Sequence, residues 1–397
     1  MDYRISPEEK RVIATARSFA ERHFSRENVR QWRRDGGVPD EVAQDFVNLD
    51  FGGFGIIHRR DHAKYDLVAQ CLVLEELARA SGATLPFSND LFNLQIMQEF
   101  AGYGEFEFVR HQYQETGRIA FAVAFSEPEG GSDALNMRTQ VKNVDGKLLL
   151  SGRKTYVNNG EFAPYLLVGA IDSDAPQGKH PALSFWFVPN STPGIEAYPI
   201  QKIGQGFLPF SDIIFNDVVL EESHRLHGRR IGFPQMFHLL ETGRLFACAT
   251  ALGLAQAAMD DAVSFARERM AFNSPIIKFQ LIEDLLVDME IKLRTMRDMV
   301  YRAAVLLDAG ETASSSEARL QIALTKRYVP EAACTVASNA MQIFGGRGYT
   351  VHERVASIWE DCRGFQIAEG TDQIMVYIAG PLLCASYADK AKGDSSR

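Results

Sequence analysis

The chain predicts an α+β protein in three consecutive parts: a helical segment, a compact β segment and a helical bundle. Apolar residues recur at helical spacing as far as about Tyr113, beginning with Val12, Ala16 and Phe19. Near Gly117 the period changes to the alternation of strands, and short β-type runs follow one another. Beyond about residue 228 the helical period returns and persists to the end. The expected parts are therefore 1–116, 117–228 and 229–397. A chain of 397 residues is in any case too long for one simple core.

Each element has its own local signals. Ser6-Pro7-Glu8-Glu9 offers an N-cap, a proline at the first helical position and acidic residues for the first turn. Leu67, Cys71, Leu74 and Ala78 give a second helix, over Leu67–Arg79, one apolar side. His58 and His62 stand i, i+4 apart, a spacing that could suit a metal, but they read as solvated histidines. The β runs are Ile119–Phe125, Leu148–Leu150, Tyr165–Val168, Leu183–Val188 and Asp212–Phe215, with Asp145-Gly146 as a hairpin turn. Asp172–Pro181 reads as a polar, turn-rich mobile loop. In the last part Ser274 is a candidate N-cap, Pro275 a first helical residue and Gly310 a terminator. Ile282, Leu285, Met289, Leu293, Met296, Val300, Ala303 and Leu307 form the stripe between them. That stripe needs facing helices, expected over Arg244–Met270, Glu317–Phe344 (bent at Pro330) and from Leu382 onward, which makes a bundle.

Composition excludes several function classes. A net charge of −9 without a dense Lys/Arg run argues against nucleic acid as a partner. The five cysteines are scattered, with no CxxC and no Cys/His metal spacing, which suits a reducing cytoplasm and no structural metal. The N-terminus carries charges where a signal peptide needs an apolar run, and no apolar stretch is long enough to span a membrane. A soluble cytoplasmic protein is expected.

Chemistry concentrates between Gln342 and Gln373. Gly345-Gly346 stops an apolar helix and bares main chain for close approach by another molecule. Glu369 stands directly before the turn Gly370-Thr371, where a partly desolvated carboxylate gains basicity. Singly, these features read as a helix cap and a solvated turn residue. Together, QIFGGRGY followed by Glu369-Gly370-Thr371 and Gln373 resembles the C-terminal signature of the acyl-CoA dehydrogenases, flavoproteins that desaturate acyl-CoA thioesters.

The resemblance extends over nearly the whole chain. It implies an N-terminal helical domain, a central antiparallel β-barrel-like domain and a C-terminal four-helix bundle. Ala124-Phe125-Ser126-Glu127-Pro128-Glu129-Gly130-Gly131-Ser132-Asp133 is similar to the family's TEPxxGSD loop, which implies Phe125 and Ser126 at the flavin and Ser132 at flavin and thioester arm. Gly152–Gly160 is similar to GxKxWITNG, with Tyr156 at the tryptophan position and Asn158 where Thr or Ser is usual. Arg269, Phe272, Asn273 and Gln280 match RxxFG and its following glutamine, which in the family reach the FAD of an adjacent subunit. Gln342, Gly345, Gly346, Thr371 and Gln373 are the remaining implied FAD contacts, and Glu241, Arg244 and Gly370 the implied substrate-side residues.

By the same resemblance Glu369 removes the α-proton while hydride passes from Cβ to flavin N5, with the Glu369 N–H helping to bind the thioester oxygen. Some members place their glutamate directly before the active-site arginine; here that residue is Gly243, so Glu369 is the only properly placed base. Ala368 stands where many members have Tyr, and Glu360 where an arginine precedes Asp361, so a local ion pair is expected to be lost or inverted. The implied partners are an acyl-CoA substrate, electron transfer flavoprotein and other copies of the chain in a homotetramer, a dimer of dimers. The stretch from Phe279 to Ala304 looks closest to the crotonobetainyl-CoA reductase branch, which implies a short or polar acyl group and a reductive direction, although that branch tends to lack EGT. A carrier-protein-bound acyl group, a nitroalkane-oxidising relative and a catalytically silent partner subunit are the other readings, the last opposed by the intact Arg269, Gln280, Gly345, Gly346 and Thr371.

Overall fold

A computed structural model describes residues 6–49, 66–176, 181–227, 231–309 and 316–394, with side chains as far as 388. The pair His58 and His62, part of the 172–181 loop and Gly310 lie outside the described residues.

Among the described residues six helices lead: α1 (Pro7–His23), α2 (Arg26–Asp35), α3 (Asp40–Asn48), α4 (Leu67–Ser81), α5 (Phe87–Phe100) and α6 (Tyr103–Thr116). Ser6 Oγ accepts the Glu9 N–H at 3.1 Å while the Glu9 carboxylate accepts the Ser6 N–H, a reciprocal cap that starts α1. Gly117 ends α6 at φ 68°, where an added Cβ would lie 2.5 Å from the Gln44 backbone nitrogen. The chain turns there from helix to sheet.

The sheet has seven strands: β1 (Phe121–Ala124), β2 (Gln140–Val144), β3 (Lys147–Asn158), β4 (Tyr165–Asp172), β5 (Leu183–Pro189), β6 (Ile195–Ile200) and β7 (Phe210–Leu220). Their order is β1-β4-β2-β3-β7-β6, with β5 also beside β4. The pairing is mixed, because β1 and β2 both run parallel to β4. Asp145 and Gly146, at φ 51° and 82°, make the tight turn from β2 to β3. Period-2 alternation splits the strands between two cores. Leu166, Val168 and Trp186 pack within the β part, while Leu167 and Phe185 join the helical core. One face of the sheet is thus laid against the helices.

The last part comprises α7 (Phe233–Glu268), a two-residue hairpin of β8 (Met270–Ala271) and β9 (Ser274–Pro275), α8 (Gln280–Asp308), α9 (Ser316–Phe344), α10 (Arg354–Phe365) and α11 (Asp372–Asp394). Central α9 packs on α7, α8, α10 and α11, with Pro330 buried inside it. The expected start of α8 at Ser274-Pro275 is wrong. Phe272 and Asn273 both adopt positive φ, 47° and 59°, and fold Ser274-Pro275 back onto Met270-Ala271 as β9. The helix then begins at Gln280 with Phe279 as its N-cap. The final helix likewise begins ten residues before Leu382, at Asp372.

One buried carboxylate ties the parts together. Asp361 of α10 is fully buried; it accepts both Arg33 guanidinium nitrogens at 3.0 and 2.8 Å and the Thr84 N–H at 2.9 Å. It also accepts the Gln205 N–H from the loop before β7. With Glu360 rather than an arginine before it, Asp361 has its ion pair with Arg33 of α2.

Candidate active site

Between the inner face of the sheet and helices α5, α7, α10 and α11 lies a cavity of about 1090 Å³. Phe125, Ser126, Ser132, Tyr156, Asn158, Glu241, Arg244, Glu369, Gly370 and Thr371 all line it. Two motifs far apart in sequence meet there because the Thr155 N–H donates to the Ser126 carbonyl at 2.9 Å. Beneath them Lys154 and Glu127 form a buried ion pair at 2.9 Å, and Lys154 also donates to the Phe125 carbonyl. Glu127 accepts the Arg138 and Thr139 N–H groups, which ties the start of the Glu127–Asp133 loop to the chain just before β2. Burial pulls the Lys154 ammonium down to about 8 despite the carboxylate.

A register shift in the β3–β7 ladder between Lys154 and Val157 throws Tyr156 out of the strand at φ 57°. Its ring is exposed to the cavity, tilted against Phe210. Next along β3, Asn158 donates its amide to Asn89 Oδ1 of α5 at 3.2 Å. Asn158 Oδ1 and Asn89 Nδ2 are then sealed with no partner among the described residues.

Glu369 occupies the turn between α10 and α11 in a left-handed conformation, φ 56°, followed by Gly370 at φ 94°. Two buried cations hold that turn. Arg244 Nε of α7 donates to the Glu369 carbonyl at 3.0 Å, and Lys326 Nζ of α9 donates to the Gly370 carbonyl at 3.1 Å and the Phe365 carbonyl at 2.6 Å. The Thr371 hydroxyl accepts the Ile374 N–H and starts α11. The carboxyl of Glu369 lies over Gly243, where a Cβ would stand 2.7 Å from Oε2 and 2.9 Å from Phe92 Cζ. Oε2 is sealed there with no hydrogen-bond partner among the described residues. Burial pushes the Glu369 carboxyl above the usual carboxylate range, against the opposing pull of Arg244 and Lys326. A carboxyl so placed accepts a proton more readily than a solvated one. Glu241 faces His238 at 3.3 Å and Arg319 at 3.4 Å instead.

The other expected cofactor residues do not enter this cavity. Arg269, Phe272, Gln280, Gln342, Gly345, Gly346 and Gln373 are exposed. Phe272, 94% exposed, tips the β8–β9 hairpin, and Cβ atoms built on Gly345 or Gly346 would meet nothing. Phe265 stacked on Phe344 at 4.2 Å brings the end of α7 beside the end of α9, so Arg269 and Gly345 lie on one outer face of the bundle.

Comparison with known proteins decides the family. Models of the acyl-CoA dehydrogenase N-terminal, middle and C-terminal domains match residues 6–104, 122–218 and 230–381. The chain belongs to the acyl-CoA dehydrogenase family. A solved acyl-CoA dehydrogenase of Slackia heliotrinireducens is 51% identical, with a TM-score of 0.90 over 97% of this chain and 98% of that one. The probable acyl-CoA dehydrogenase YdiO of Escherichia coli is 32% identical over 98% of this chain and its own full length. CarC, a subunit of the caffeyl-CoA reductase–Etf complex of Acetobacterium woodii, is 30% identical over 95% of this chain and 99% of CarC.

As an acyl-CoA dehydrogenase family member the protein is an FAD-dependent oxidoreductase acting on CH–CH groups. The cavity fits that cofactor. The sealed acceptor on Asn158 is a polar atom that a donor on a heteroaromatic ring edge satisfies, and the ring of Tyr156 offers it an apolar face.

Sequence reading missed several groups here. Asn89, Phe92 and Asn93 of α5 line the cavity, as does Lys202, whose sealed ammonium lies 3.7 Å over the Phe210 ring. Lys326 carried a usable signal, since it interrupts the buried stripe Ile322, Ala323, Val329 and Ala333 of α9. A lone cation on an apolar face must find polar partners inside.

Proposed function

We propose that the protein interconverts an acyl-CoA thioester and its trans-2-enoyl-CoA counterpart, with Glu369 moving the proton at Cα. The observation that carries this reading is the Glu369 carboxyl, sealed at the cavity wall and raised in basicity, on a turn held by Arg244 at the Glu369 carbonyl and by Lys326 at the Gly370 carbonyl. An α-C–H beside a thioester is a weak acid, so the base must act together with donors to the thioester oxygen. No described residue accepts the Glu369 N–H, which leaves it free for that oxygen. FAD, when bound, supplies the exchange of hydride with Cβ. Phe125, Ser126, Tyr156, Asn158 and Thr371 orient that cofactor against the substrate, and Ser132, Glu241, Arg244 and Gly370 face the thioester arm.

The exposed Arg269, Phe272, Gln280, Gln342, Gly345, Gly346 and Gln373 are proposed to serve the cofactor of a neighbouring copy, within a homotetramer. Electron transfer flavoprotein is the proposed redox partner, in line with CarC's place in an Etf complex. A cytoplasmic setting is in keeping with five free cysteines. Among the described residues no helix is long and apolar enough to cross a membrane.

The test is the visible spectrum of the purified protein under anaerobic conditions, before and after addition of acyl-CoAs. The panel runs from butyryl to octanoyl, with branched and γ-butyrobetainyl esters, and the enoyl esters are offered to the reduced protein. Bleaching by one ester, abolished in Glu369→Gln, supports the reading. Undiminished bleaching in Glu369→Gln, or a protein that cannot be loaded with FAD, overturns it.

A further inference from the structure

We infer that Gly243 is a positioning residue for Glu369: the missing side chain of α7 is the niche in which the carboxyl rests, and Phe92 of α5 is the niche's far wall. The inference rests on Glu369 as the base and adds what places it.

A Cβ at position 243 would stand 2.7 Å from Glu369 Oε2, 3.1 Å from its Cδ and 2.9 Å from Phe92 Cζ. Side-chain carbons do not tolerate approaches of this kind, so one of the three must move. Gly243 itself is buried within α7. Its φ is not positive, so the glycine is not required by the backbone. What requires it is the space above it. The obstructing atoms are the tips of two side chains rather than main chain, so alanine would displace the carboxyl or the ring and leave the helix intact.

The displacement has a chemical consequence. Glu369 cannot retreat along its own backbone, which is fixed by Arg244 and Lys326 on the carbonyls at 369 and 370. Its carboxyl must swing toward the open cavity. The charged groups facing it are Arg244 from α7 and Lys326 from α9, while Phe92 from α5 brings no charge. In the niche, desolvation dominates and raises its pKa; in the wetter cavity that contribution shrinks and the two cations prevail. A base displaced by about 1 Å also loses alignment with the α-proton, at a rate loss on the order of 10²-fold.

The experiment measures FAD bleaching against pH by stopped flow, with the panel ester that bleaches the parent protein, for the parent, Gly243→Ala, Phe92→Ala/Gly243→Ala and Glu369→Gln. Since the carboxylate is the active form, Gly243→Ala should slow bleaching and move its acidic limb to lower pH, and removal of the Phe92 ring should recover part of both. A Gly243→Ala protein with the parent limb, whether slowed or not, overturns the inference. If Glu369→Gln still bleaches, the base assignment fails instead, independently of the niche. A stability cycle needs no substrate. Gly243→Ala should lower the denaturant midpoint more in the parent than in a Glu369→Ala background, where one of the two obstructing tips is gone and only the Phe92 ring remains. Equal penalties in both backgrounds overturn the inference.

Discussion

Replacing Lys326 by methionine removes a buried ammonium that, among the described residues, bonds no carboxylate and instead holds two carbonyls. Nζ donates to the Phe365 carbonyl at 2.6 Å and the Gly370 carbonyl at 3.1 Å, so the end of α10 and the turn that carries Glu369 are pinned from α9. Hydrogen bonds from a charged donor contribute about 1.5–3 kcal/mol each, so the two together contribute about 3–6 kcal/mol. Methionine also relieves the desolvation of a buried charge, several kcal/mol in the opposite sense, which leaves a net loss of about 1–4 kcal/mol. The electrostatic effect has a definite sign. Lys326 pulls the Glu369 pKa down against burial, so its removal lets that pKa rise further. With Glu369 as the proposed base the carboxylate is the working form, and the acidic limb of the bleaching rate should therefore move to higher pH, opposite to Gly243→Ala. Denaturant unfolding with excess FAD reads the stability, and stopped-flow bleaching across pH reads the limb. A limb that stays in place, together with a midpoint that rises, would show that the ammonium neither holds the turn nor acts on Glu369.

The parts of this protein legible in its sequence are those written in short local spans. The cap at Ser6-Pro7-Glu8-Glu9, the turn at Asp145-Gly146 and the α8 stripe from Met289 to Leu307 need only neighbours in the chain, and each is found as read. The motif at Glu369-Gly370-Thr371 belongs to the same class, because a turn and its carboxylate lie side by side. Ser274-Pro275 was misread for a physical reason. Ser-Pro starts a helix only if the next residues take helical angles, whereas Pro275 stays extended, φ −58° and ψ 136°, under the pull of its pairing with Met270. Strands β2 and β6 were hidden because they are largely exposed and offer little apolar alternation. Harder still were Phe92, Asn89 and Lys326, whose roles arise only when α5, α9 and the turn after α10 meet. Glycine at 243 reads in sequence as the lack of a second carboxylate; in the structure it is the floor under the Glu369 carboxyl.

Three further outcomes are expected. Asp361→Ala strands Arg33 and leaves the Thr84 and Gln205 N–H groups unpaired in a fully buried site, so it should lose about 3–5 kcal/mol by denaturant unfolding; a loss under about 1 kcal/mol would show the clasp to be dispensable. Asn158→Ala removes an amide that we propose faces the cofactor and takes the donor from Asn89 Oδ1, and should weaken FAD binding about tenfold in titrations of the apoprotein, with unchanged affinity counting against the placement. The last concerns Asp90, buried on α5, where desolvation pushes its carboxyl up to about 7 with Arg118 and Asn89 working against the rise. A carboxyl whose folded pKa lies above its ordinary value favours folding in its protonated form, so stability is lost as pH rises through the range between 3.8 and about 7. That interval corresponds to about 4 kcal/mol once the group is fully ionised, at about 1.4 kcal/mol for each pKa unit. Asp90→Asn keeps the shape without the charge, so it should stabilise the protein at pH 8.5 by up to that amount and by much less at pH 5. Equal effects at the two pH values would mean that Asp90 ionises freely and that α5, which carries Asn89 and Phe92 into the active site, is not held by a neutral acid.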